Sequence, residues 1–122
     1  MTKIFSIIQH EEITEVCFSS PPEVNDLIAA AREHAGPRMH RKRLWDMSCG
    51  YNVSTVELNK IAQTGHNIEV PDNSRVAIVA PDDLSYGVTR IYSVLRKDSR
   101  SQHQVFRTRE DALVWLDDPS GY

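Results

Sequence analysis

The chain has little cysteine, little glycine and no long apolar run, and each shortage excludes something. Its two cysteines, Cys17 and Cys49, lie far apart and outside any CxxC pair, so a zinc ribbon or a dithiol redox motif is excluded. Two reduced thiols are the better reading, and a single bridge between them is the alternative. Its five glycines form neither GxGxxG nor a phosphate-binding loop, which leaves nucleotide cradling without support. The five histidines (His10, His34, His40, His66 and His103) lack HxxxH or HExxH spacing. No apolar stretch approaches the roughly 18 residues a membrane helix needs, so membrane insertion is not expected. The opening MTKIFSIIQHEE meets its first acids too early for a secretory leader. Without a leader the glycosylation pattern Asn52-Val53-Ser54 carries no weight, and the expected location is the cytoplasm. A basic excess is missing too: a net charge of −3 argues against general nucleic-acid binding.

What is present is ordinary globular composition, with 40% hydrophobic and 25% charged residues. A chain of 122 residues buries roughly two-thirds of its unfolded surface, so one domain over residues 1–122 needs no disulfide or metal to fold. No cofactor is implied.

Residues 3–8 (KIFSII) and 13–19 (ITEVCFS) are rich in β-branched and aromatic side chains and read as strands. The short polar break between them predicts an antiparallel hairpin. Ser20-Pro21-Pro22-Glu23 reads as a helix start, with Ser20 as N-cap, Pro21 at the first helical position and Glu23 closing a capping box. Val24, Leu27, Ile28 and Ala31 follow at helical spacing, and Gly36-Pro37 ends that helix. Residues 43–48 (RLWDMS) read as a third strand. Ser54-Thr55-Val56-Glu57 is a second capping box, followed by the apolar face Leu58, Ile61, Ala62, with Gly65 as stop. Residues 75–80 (RVAIVA) are apolar at five successive positions, the pattern of a strand buried on both faces. Asp82 or Asp83 then caps a third helix with the stripe Leu84, Val88, Ile91, Leu95, and with Arg96 and Lys97 in its last turn. A fifth strand at 103–107 precedes a helix capped by Thr108, with Ala112, Leu113 and Leu116 inward, stopped by Asp117-Asp118-Pro119. The order β-β-α-β-α-β-α-β-α predicts an α/β fold: a mixed five-stranded sheet, an N-terminal antiparallel hairpin followed by parallel crossovers, with four helices. Strand order beyond the hairpin is not legible.

RLWDMS, the capped helix after it, SRVAIVAPDDLSYGVTRIYSVL and QVFRTREDALVWL together resemble the STAS-like superfamily. That group contains the anti-sigma-factor antagonists and other bacterial proteins. The resemblance covers roughly residues 40–117 well and the hairpin loosely. It implies a STAS-like fold and a non-enzymatic regulatory domain of the bacterial cytoplasm that acts on a protein partner. In the antagonists an Asp ends a strand and a serine near the next helix start is phosphorylated by a partner kinase. Asp46 and Ser54 stand at those places here, which makes Ser54 the candidate phospho-acceptor. The chain departs from the family's Asp-Ser-x-Gly at that point, reading Asn52-Val53-Ser54-Thr55, and Ser54 also suits a plain helix cap. CRAL-TRIO lipid-binding modules share a similar alternation, so a small-ligand or lipid-binding module is the alternative reading.

Ligands of open α/β sheets bind beyond the carboxyl ends of the strands. That rim would hold Asp46 and Ser48 after the third strand, and Asp82, Asp83, Ser85 and Tyr86 after the fourth. An enzyme would need Asp46, Asp82 and Asp83 to converge, as metal ligands or as an acid/base pair. Their ordinary reading is helix capping and loop bonding. Arg38 to Arg43 holds four fixed positive charges in six residues, a docking patch for an anionic partner or lipid headgroups, or else a solvated loop. A homodimer is a further expectation, since edge strands and apolar helix faces of small domains are often covered that way.

Overall fold

The computed structural model describes residues 3–36, 38–97 and 100–118. Its elements are β1 (Phe5–Gln9), β2 (Ile13–Phe18), α1 (Val24–His34), β3 (Lys42–Asp46), α2 (Thr55–Asn67), β4 (Ser74–Val79), α3 (Asp83–Leu95), β5 (Ser101–Phe106) and α4 (Arg109–Asp117). The fold is α/β, with one mixed sheet in the order β1-β2-β3-β4-β5. β1 runs antiparallel to β2 and every other pair is parallel.

Each strand lies beside its predecessor, so the three crossovers all step in one direction. Right-handed crossovers stepping one way deliver their helices to one face. Accordingly α1, α2 and α3 share a core with Val16, Phe18, Val76 and Ile78. After β5 no further strand follows among the described residues, and α4 packs Ala112 and Leu116 on the opposite face, against Leu44, Ala77 and Val79. β4 is buried along its whole length, as its unbroken apolar pattern requires when both faces are covered.

The helix starts follow local chemistry, with one correction. α1 begins at Val24 with Glu23 as its N-cap; Glu23 N–H donates to the Asp26 carboxylate (2.9 Å), and Ser20 is not the cap. Pro22 is the reason. A residue before proline is driven out of the α region, so Pro21 is kept out of the helix, which starts three residues later than expected. α1 also stops at His34, ahead of Gly36, while Pro37 lies outside the described residues.

Two helices differ inside their spans. Gly65 does not end α2, which continues to Asn67 and takes in His66. α3 has the expected period with its buried face rotated part of the way from the expected stripe. Val88 and Leu95 of the expected stripe do pack against the core, beside Ser85, Thr89 and Tyr92, whereas Leu84 is 78% and Ile91 45% exposed. Thr89 tolerates that burial because its hydroxyl donates to the Ser85 carbonyl (2.8 Å) and pairs with the Tyr51 hydroxyl (2.7 Å). Arg96, expected in the last turn, is the C-cap of α3 and is buried, its side chain lying against Gly65 of α2. α4 ends at Asp117 as expected, and Pro119 and the tail lie outside the described residues.

No helix among the described residues is long and apolar enough to cross a membrane.

Candidate functional site

The rim beyond β3 and β4 exists, but its polar residues are engaged separately. Asp46 ends β3 and accepts the Ser48 N–H (3.0 Å) and the Ser48 hydroxyl. Asp82 caps α3 by accepting the Ser85 N–H (2.9 Å), a bond that holds its carboxyl below the usual range. Asp83 pairs with Arg107 (2.6 Å), and the same guanidinium lies over the Tyr86 ring at 4.2 Å. Ser85 is buried beneath the β3–α2 loop, where Gly50 adopts φ +83° close above the Ser85 hydroxyl. Ser54 caps α2: its oxygen accepts the Glu57 N–H (3.3 Å), and Glu57 accepts the Ser54 N–H (2.9 Å). The convergence of Asp46, Asp82 and Asp83 that an enzyme at this rim would need is not found, whereas the capping and loop bonds expected as their ordinary roles are present. Among the described residues, the one three-ligand group within 4.8 Å joins Asp46 to Glu15 and Cys17 and leaves Asp82 and Asp83 out.

That second-face cluster escaped the sequence reading. Glu15 sits in the middle of β2, only 3% exposed. Both its oxygens meet the Arg109 guanidinium, one at 2.8 Å, and His10 Nε2 lies 2.7 Å from Oε1. The Arg109 bonds hold the Glu15 carboxyl down at about 2 despite burial. Burial, then the neighbouring Glu15, pushes the Cys17 thiol up to about 12. A carboxylate so low is a poor general base, and a thiol so high is not a nucleophile at neutral pH. The cluster therefore fastens the start of α4 to β2. A glutamate at an interior strand position was the available signal, but its partner lies 94 residues away.

The basic run is dispersed by strand alternation. Arg38 and Arg41 stay exposed, with Arg41 Nε donating to the Asp72 carbonyl (2.8 Å). Lys42 turns toward Glu12 (3.8 Å) and Asp117 (3.4 Å). Arg43 points to the other face and is 1% exposed. There it lines a cavity of about 60 Å³ between the sheet and α1–α3, together with Leu27, Trp45, Ile61, Tyr92 and Arg96. A ligand pocket for a drug-sized molecule takes roughly 300 Å³ or more. Comparison with protein-family models, with curated proteins and with solved structures finds no match.

Proposed function

We propose that this chain is a non-enzymatic interaction domain whose docking face is the outer side of α3, covered by a second copy of the chain. The observation behind this reading is the apolar stripe that the phase of α3 leaves outside. Leu84, Ile91 and Val94 are all exposed, Val94 at 74%. Gly87 belongs to the same side, and a Cβ built there would meet nothing within 4 Å. The stripe is self-complementary. Residues 84 and 94, and likewise 87 and 91, are symmetric about the level of residue 89. An antiparallel two-fold contact thus sets Leu84 against Val94 of the second copy, and Ile91 into the space over Gly87. It also brings the acidic start of α3, Asp83, near Lys97 at the opposite end, and opposes the two helix dipoles.

The STAS-like resemblance supports the same class, a regulatory domain of the bacterial cytoplasm that works through protein contact. The separate engagements of Asp46, Asp82 and Asp83 favour it over catalysis at the rim. Ser54, exposed at the start of α2, is the position where phosphorylation would act, by setting a phosphate against Glu57.

Analytical ultracentrifugation over a concentration series tests the reading. The wild type is expected to dimerise, and Leu84→Glu or Val94→Lys to remain folded monomers whose Tm no longer rises with protein concentration. A wild type monomeric up to about 1 mM overturns it.

A further inference from the structure

The cavity under α1–α3 has a chemistry the interaction reading does not use. Its walls are mostly apolar, yet a guanidinium is built into them. Arg43 enters from β3, and its Nη1 donates to two neutral oxygens, the His40 carbonyl (3.2 Å) and the Ser74 hydroxyl (3.1 Å). Its Nε is buried without a hydrogen-bond partner among the described residues. Among the described residues the groups acting on Arg43 are a second cation, Arg96, and the Tyr92 hydroxyl, and no carboxylate is one of them. Burial pushes the Arg43 guanidinium down only to about 10, so it stays charged at neutral pH. His34 on the same wall is held neutral by burial and by Arg43, and burial keeps the Tyr92 hydroxyl protonated. None of these groups supplies the missing negative charge. A buried charge without a counter-charge is costly, and an anion entering from solution would relieve it.

We propose that this cavity binds a short-chain carboxylate of acetate size, with Arg43 as the anion-binding residue. Size and shape both select this class. At roughly 15 Å³ for each water-sized position, the 60 Å³ space takes about four heavy atoms, the number in acetate. The planar Arg43 fork suits a carboxylate, and Leu27, Ile61 and Ile78 give its methyl group an apolar wall. A lipid chain is far too large for the space.

The test uses the full chain with sodium acetate against sodium gluconate, which is too bulky to enter, at equal ionic strength. Acetate is expected to bind saturably by calorimetric titration and to raise Tm by at least about 4 °C near saturation. Arg43→Met removes that dependence, and so does Ala31→Leu, which fills the cavity from α1. The proposal is overturned if acetate and gluconate act alike, if chloride reproduces the acetate effect, or if Arg43→Met keeps the saturable rise. Should the Arg43 variant fail to fold, the titration of the wild type decides alone.

Discussion

Gly65 shows how one residue is read differently by sequence and by packing. A glycine late in a helical pattern suggests a stop, yet α2 passes through it. The reason for glycine is across the interface. A Cβ at this position would stand 2.9 Å from Arg96 Cζ and against Nε, inside contact distance. Arg96 is buried. In an unconstrained helix interior, glycine to alanine gains about 1 kcal/mol. Here Gly65→Ala is expected to cost about 1–3 kcal/mol by overpacking. Denaturant unfolding measures it, and the loss should shrink in an Arg96→Ala background, where the obstructing atoms are gone. A gain in stability from Gly65→Ala alone would show that Arg96 is not wedged against the helix. Ser54 is the opposite kind of residue, legible because its partner is three positions away. Ser54→Ala is expected to cost about 1 kcal/mol through loss of the cap to Glu57 N–H.

At the scale of elements, the starts of α2, α3 and α4 were readable, since Ser54, Asp82 and Thr108 each bond within three residues. The phase of α3 was legible only in part: Val88 and Leu95 pack inward as their spacing suggests, and Leu84 and Ile91 do not. A period of 3.6 fixes spacing, but the buried side is decided by what lies beneath. Beneath α3 lie Tyr51 and the cavity edge, which accept Thr89 and Arg96 inward and leave Leu84 outside. The fastening of α4 to β2 was likewise hidden, because Glu15 and Arg109 meet only once the sheet has formed. Removing one partner should expose its energetic weight. Arg109→Met leaves Glu15 buried without its cation and is expected to cost about 2–3 kcal/mol. The paired variant Glu15→Gln with Arg109→Met should recover part of that loss in a double-mutant cycle. A double-variant loss equal to the sum of the two single-variant losses would mean that the pair contributes no coupling.

For the whole molecule, the alternation of strands and helices was enough to predict a mixed sheet, whereas strand order was not. The order follows from crossovers stepping one way, and its consequence is an uneven pair of layers: three helices on one face, α4 alone on the other. Each layer holds a group whose proton balance differs from that of the unfolded chain, so folding stability should fall in acid in two stages. On the three-helix side, burial depresses His34 from 6.5 to about 4. The unfolded chain therefore binds a proton between those values that the folded chain refuses. The resulting stability is fully present above pH 6.5 and is lost as the pH falls toward 4, by up to about 3 kcal/mol at 1.36 kcal/mol per unit. On the α4 side, Arg109 depresses Glu15 from 4.5 to about 2, so its contribution is present above pH 4.5 and disappears as the pH falls toward 2. Urea unfolding at a series of pH values should show a first decline from pH 6.5 to 4 and a second below 4.5. The two are separable by substitution. His34→Gln should flatten the upper stage and leave the lower one, while Arg109→Met should flatten the lower stage, because burial then raises Glu15 back toward its unfolded value. Stability that holds level from pH 7 to 4.5 in the wild type would mean that His34 accepts its proton in the folded state. The three-helix layer would then be open to water at that point.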